Sequence, residues 1–262
     1  MNAGYANHPP WIHGNARMEK KEVCMQLLPK GFRNVKQRIQ QVLGWDDLEL
    51  ILKEISQFAA KQVICPLFGL LTDPSEIIRW RAATALGAVT SDLADTNMES
   101  ARVIMRRFMW NLNDESGGIG WGCPESMGEA TARHTRLANE YGRILVSYID
   151  PDGNFLEHPR LQRGVLWGVR RLISVRPELI AGQTHLLHPF LASEDPVKRG
   201  LSLWIAREMK DPSLLPLIND QLDDSVQVTL YTGFNFETFT IKELAEEALN
   251  ALPAAEPILA AT

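Results

Sequence analysis

The chain contains partial copies of itself. Asp73-Pro74, followed by Arg79-Trp80-Arg81-Ala82-Ala83-Thr84-Ala85-Leu86-Gly87, returns 41 residues later as Asp114, then Gly120-Trp121-Gly122, then Met127-Gly128. Trp80 falls in register with Trp121, Leu86 with Met127 and Gly87 with Gly128. A second pair recurs at 37 residues and matches Pro159 with Pro196, Leu166 with Leu203 and Trp167 with Trp204. Periods of about 40 residues belong to solenoids of helix pairs. There each unit buries its apolar face against the next unit, and small residues let neighbouring helices approach closely. The expected fold is therefore all-α, a right-handed α-α superhelix.

Local patterns agree. Asp46 reads as an N-cap ahead of Leu48, Leu50, Ile51, Leu52, Ile55, Phe58 and Ala59, which follow at mainly helical spacing. Residues 61–71 form another apolar segment, with Pro66 near its start or at a kink. Thr96 and Glu99 have capping-box spacing before Met98, Ala101, Met105, Phe108 and Leu112 on one face. Strand and helix do not alternate as a dinucleotide-binding fold requires. The exception is 225–240, SVQVTLYTGFNFETFT, which alternates apolar with polar around a Gly-Phe-Asn turn. It predicts a small β-hairpin before the last helix, Ile241–Leu252. The expected organisation is a flexible head over 1–18, a repeat domain over 19–252 with the hairpin inserted, and a tail over 253–262.

LLTDPSEIIRWRAATALGAV resembles a HEAT repeat, with its Asp-Pro turn, an arginine and Ala-Ala-x-Ala-Leu-Gly. EDPVKRGLSLWIA is a weaker copy, and IKELAEEALNAL is similar to the second helix of a terminal repeat. The resemblance covers about residues 40–252 and lapses over 114–160. It extends to uncharacterised bacterial HEAT-like proteins, implies roughly five helix pairs, and brings no known reaction.

Composition narrows the function. The formal charge of −5, from 27 basic and 32 acidic residues, does not supply the broad positive groove of a nucleic-acid binder. Cys24, Cys65 and Cys123 form no CxxC pair, which disfavours a zinc knuckle, an iron–sulfur cluster and a disulfide framework. No apolar run approaches the ~20 residues that span a bilayer. The N-terminus is polar and turn-rich rather than signal-like. A cytoplasmic protein with reduced thiols and no membrane partner is expected.

Two stretches stand out as candidate sites. Residues 117–122 hold four glycines in six positions, ahead of Cys123-Pro124-Glu125. Such a loop before a helix can cradle an anion, but Glu125 and Glu129, four apart on one helical face, would repel one and suit an amine or a metal better. No Walker lysine follows, so a nucleotide is disfavoured. Between His158 and Arg176 lie five arginines and no acid. A helical wheel sets Leu161, Val165, Val169, Leu172 and Ile173 on one side and Trp167 opposite, among Arg160, Arg163 and Arg171. Trp167 could stack on a planar group or a peptide, or pack against the adjacent repeat as Trp204 would.

The expected ligand surface joins Trp121 as an apolar platform, Glu125 with Glu129 as a carboxylate pair, and Arg163 with Arg171 as opposing charge. The same residues could instead close into a salt-bridge network. His185 and His188 lack a third ligand, and Asp150-Pro151-Asp152-Gly153-Asn154 lacks the glycine and glutamate of a calcium loop. No metal, cofactor or catalytic triad is expected. The reading is a non-enzymatic scaffold that binds a protein or peptide through its concave surface. The alternative is a small enzyme on the same scaffold, similar to bilin lyases or to alkylpurine DNA glycosylases. For the latter, Trp110 and Asp114 have a compatible separation and Trp167 lies amid arginines.

Overall fold

Six helices among the described residues begin where a side chain accepts a backbone N–H that the helix leaves unpaired. The computed structural model describes residues 32–113 and 120–253. The expected head at 1–18, Asp114 and all of the tail but Pro253 lie outside them. Twelve α-helices are present among the described residues. The first three are α1 (Phe32–Leu43), α2 (Leu48–Ser56) and α3 (Ala60–Leu70). There follow α4 (Glu76–Thr96), α5 (Met98–Leu112), α6 (Cys123–Arg133), α7 (Thr135–Ser147) and α8 (Pro159–Ile173). The short α9 (His188–Leu191) precedes α10 (Pro196–Met209) and α11 (Leu215–Asn219). Strands β1 (Gln227–Tyr231) and β2 (Phe236–Thr240) lead into α12 (Ile241–Ala251).

The caps refine the sequence reading. Asp47, not Asp46, caps α2 and accepts from the Leu50 N–H at 3.0 Å. The Thr96–Glu99 box does not form. Thr96 is the last residue of α4, and Asn97 caps α5 by accepting from the Ser100 N–H. Glu99 pairs instead with Arg102 and Arg106 along its own helix. Pro66 lies inside α3 rather than at its start. Buried Val63, Leu67, Phe68 and Leu70 hold that helix in place despite the missing N–H. At the other end, Thr240 and Glu243 do make a reciprocal capping box for α12.

Five helices, α4, α6, α8, α10 and α12, stack side by side in one row. A second layer backs them, with α5 against α4 and α6, and α7 against α6 and α8. Short pieces at 177–191 extend that layer beside α8 and α10. This stacked row makes the fold an α-solenoid of the armadillo/HEAT kind. The 114–160 stretch, expected to depart from the repeat, supplies the ordinary pair α6–α7. Leu86 and Met127 are both fully buried, as their register requires.

Glycine sets the spacing of the row. A Cβ on Gly128 would lie 2.4 Å from Gly168 Cα, and one on Gly168 would lie 2.5 Å from the Pro124 carbonyl oxygen. Helices α6 and α8 therefore touch backbone to backbone. The middle helix of such a row is buried on most sides, and this corrects the wheel drawn for α8. Gln162, Gly164, Leu166, Trp167 and Gly168 are buried along with Leu161, Val165, Val169, Leu172 and Ile173.

The expected hairpin is present. Its strands pair antiparallel from Gln227↔Thr240 to Tyr231↔Phe236, and Gly233 turns the chain with φ +115°. The hairpin does not project into solvent. β1 packs on α10 and β2 on α12, while the turn reaches back across the row to α4. There the buried Arg81 donates to the Phe234 carbonyl at 3.2 Å and to Asn235 Oδ1 at 3.0 Å. Its other N–H groups donate to the carbonyls of Leu43 and Trp45, at 2.9 and 2.7 Å.

Candidate functional site

The starts of α4, α6, α8 and α10 lie along one edge of the row, and the hairpin closes over it. Between them is a cavity of about 200 Å³. Glu76, Arg79 and Trp80 come from α4, and Trp121, Gly122 and Glu125 from the start of α6. Arg160, Arg163, Gly164 and Trp167 come from α8, Val197 from α10, and Thr229, Tyr231 and Phe236 from the hairpin. Its walls are aromatic. Trp80 stacks on Tyr231 with centroids 4.8 Å apart and meets Trp167 edge-on at 5.3 Å. Phe236 stands edge-on to both Trp80 and Tyr231.

Two residues of this lining each hold an unsatisfied polar atom. Trp121 Nε1 and Glu125 Oε2 are buried and have no hydrogen-bond partner among the described residues. Gly164 allows the Glu125 position, since a Cβ there would lie 2.6 Å from Oε1. Burial pushes the Glu125 carboxyl up to about 7, against the opposing pull of its own backbone N–H and of Arg160. The arginines at the rim are engaged in part. Arg79 donates to the carbonyls of Asp73 and Pro74, Arg163 pairs with Asp195 at 2.7 Å, and Arg160 lies 4.1 Å above the Trp121 ring.

The structure thus brings Trp121, Glu125, Arg163 and Trp167 to one cavity and separates the rest. Glu129 lies one turn beyond Glu125 but is not its partner. Its buried carboxylate is held by Arg133 at 2.5 Å and Arg171 at 2.6 Å, a closed network between α6 and α8. Glu129 and Arg171 do not line the cavity. Trp167 is not on an exposed arginine face; it is 1% exposed and donates to the Tyr231 carbonyl. Trp110, on α5, is 64% exposed and away from the cavity, and Asp114 lies outside the described residues.

Sequence reasoning missed Trp80, Tyr231 and Phe236 as site residues. The 41-residue register of Trp80 with Trp121 was the available signal, since both rings line the same cavity. Trp80 lies within the 21-residue α4, whereas Trp121 precedes the shorter α6.

Cys123 is fully buried, and burial pushes its thiol up to about 12. No group of three or more His, Cys, Asp or Glu among the described residues is placed to hold a metal ion. Asp150 and its neighbours form a plain turn, in which Asp150 Oδ1 accepts from the Asp152 N–H. No helix among the described residues is long and apolar enough to cross a membrane.

Solved structures of the same architecture are similar to this chain. A designed armadillo repeat protein in complex with peptide (KR)4 superposes with TM-score 0.48 at 16% identity, over 82% of this chain and 98% of that one. An archaeal HEAT-like repeats protein from Thermococcus onnurineus NA1 gives 0.37 at 16% identity, over 85% and 83%. No family model and no curated protein matches the sequence. The assignment to the armadillo/HEAT class rests on the stacked row itself.

Proposed function

We propose that this chain is a non-enzymatic repeat scaffold that binds a peptide segment of a partner protein. The segment lies along the edge where the hairpin meets the helix starts, with one side chain anchored in the aromatic cavity. The observation that carries this reading is the aromatic-walled cavity between the helix starts and the hairpin, with Glu76, Arg79, Arg160 and Arg163 among its lining residues. The volume supports a side chain as anchor, because drug-sized ligands need roughly 300–1,000 Å³.

The reading shifts the expected surface. The hairpin covers much of the helix row that a solenoid of this class would otherwise leave open, so the site is the remaining gap at its edge. The glycosylase-like alternative gains no support, since Trp110 and Trp167 do not share a site.

The test is selection from a phage-displayed library of random dodecapeptides against the full chain. Selected peptides are retested on Val197→Trp, which fills the cavity mouth from a partly exposed position. Loss of binding is the expected result. Binding that survives the substitution places the site elsewhere.

A further inference from the structure

The peptide reading leaves open what stands beside the anchor, and the rim of the cavity narrows it. The walls are apolar, with Trp80, Trp167, Tyr231 and Phe236 packed ring against ring. The charged lining residues are Arg79, Arg160 and Arg163 against Glu76 and Glu125. Arg160 and Arg163 are exposed and lie three residues apart, on one face of the first two turns of α8. No acidic residue occupies the first turn of that helix, so its start adds to their positive field.

Both guanidiniums are held in place without being saturated. Arg160 lies over the Trp121 ring, 4.1 Å from its centroid, a contact that consumes no hydrogen bond. Among the described residues nothing accepts from its side-chain N–H groups. Arg163 gives only Nε, to Asp195 Oδ2 at 2.7 Å, and its two Nη groups are open. Asp195 is fixed in turn, since its Oδ1 caps α10 by accepting from the Val197 N–H. Arg79 has less to offer, with Nη1 on two carbonyls and Nη2 3.7 Å from Glu76. Glu125 is a weak counterweight. Its Oε2 is buried, and a Cβ on Gly164 would lie 3.0 Å from it. Burial also pushes this carboxyl up to about 7, which lessens its repulsion of an anion near neutral pH.

We infer that the bound segment carries an acidic residue beside its apolar anchor, with the anchor in the aromatic cavity and the carboxylate on Arg160 and Arg163. This rests on the peptide-binding reading above. A carboxylate offers two oxygens, each able to accept from more than one N–H, and so can bridge two guanidiniums. A lysine or arginine at the same place would face two like charges. The same chemistry, an apolar group with a carboxylate, could be delivered by a free small acid, and the experiment separates the two sources.

A peptide taken from the selection is synthesised with its shared aspartate or glutamate and again with the matching amide, which keeps the shape and removes the charge. On the wild-type chain the amide peptide should bind about tenfold more weakly. On the double variant Arg160→Gln with Arg163→Gln the two peptides should bind alike. Both positions are exposed, so the circular dichroism spectrum should not change. Arg160→Gln alone, which breaks no hydrogen bond within the chain, should narrow the difference. The comparison on the wild-type chain is made on the ligand and does not depend on how a variant folds.

Peptides that are enriched and blocked by Val197→Trp but share no acidic residue would overturn the inference and leave peptide binding intact. Equal binding of acid and amide to the wild-type chain, or a full difference that survives in the double variant, would do the same. If no peptide is enriched, or none is blocked by Val197→Trp, peptide binding at this site is itself overturned. Phenylpropionate, titrated alone and followed by tryptophan fluorescence, then decides the chemistry. Binding that is lost in the double variant keeps the apolar carboxylate class with a free acid as its source. No binding, or binding that the double variant retains, ends the inference as well.

Discussion

The indole N–H of Trp167 donates to the Tyr231 carbonyl at 2.7 Å, and this one bond ties the middle of the helix row to the hairpin that covers it. Both residues are buried and line the cavity, so the bond also fixes the cavity wall. Trp167→Phe keeps most of the ring and removes the donor, leaving a buried carbonyl unpaired. The expected cost is about 1–3 kcal/mol, measured by urea denaturation. Hydrogen exchange should rise first in β1 and β2.

Arg81 fastens the far end of the hairpin. Arg81→Met keeps the buried stem but strips donors from the carbonyls of Leu43, Trp45 and Phe234 and removes the cation from the Phe234 ring, 4.4 Å away. We expect a loss of about 3 kcal/mol or more, from several acceptors left unpaired at once. Limited proteolysis should then cut at the 232–235 turn before the helices open. A wild-type cleavage pattern would show that the turn holds without Arg81.

Gly128 and Leu86 test the spacing of the row. Gly128→Ala adds a methyl 2.4 Å from Gly168 Cα and 2.5 Å from its carbonyl oxygen. Backbone cannot rotate away, so the helices must part, at a cost of about 3 kcal/mol. Leu86→Asp places an unpaired charge in a fully buried contact and should cost several kcal/mol more, on the order of 4 or above. Thermal melts monitored by circular dichroism check both. An unchanged melting temperature in either variant would mean the register is wrong.

The Glu125 carboxyl gives stability a pH dependence of unusual sign. Its folded value of about 7 lies above the ordinary 4.5, so over this window the folded state binds more protons than the unfolded one. The contribution of this group is most favourable below pH 4.5, declines as pH rises towards 7 and is level above that. The whole span is on the order of 3 kcal/mol. Arg160, Arg79, Arg163 and Glu76 face the same cavity. Glu125→Gln should flatten this part of the profile and leave the protein at least as stable at pH 8. Denaturation midpoints between pH 5 and 8 for both proteins make the comparison.

The other acidic residue of α6 should behave oppositely. Glu129 lies between Arg133 and Arg171, and Glu129→Gln leaves two guanidiniums without their counter-charge in a buried contact. We expect destabilisation of about 3–5 kcal/mol. Peptide binding should persist at conditions where the variant is folded, because the network does not line the cavity.

The sequence by itself determined the repeat and the class of fold. Leu86 with Met127, and Gly87 with Gly128, recur in register because stacked helices demand apolar and small residues at fixed intervals. The hairpin was legible too, since alternation in Val228 and Leu230 and a glycine turn are local signals. Helix starts were legible to within one residue, as Asp46 against Asp47 and Thr96 against Asn97 show. Neighbouring polar side chains compete to cap, and only the backbone geometry chooses between them.

What tertiary structure alone decided is which faces are inside. A wheel gives one helix one buried side, but α8 is packed between α6 and α10 and beneath the hairpin, so Trp167 is buried where the wheel exposed it. Glu125 and Glu129 are indistinguishable as a spacing of four. Packing sends one to an aromatic cavity without a partner and the other to two arginines, one of them 42 residues away in sequence. The cavity itself joins Trp80 to Tyr231 and Phe236, more than 150 residues apart, through a hairpin that folds back over the row. No local pattern encodes that return, because it is fixed by long-range contacts such as those of Arg81 with the 234–235 turn.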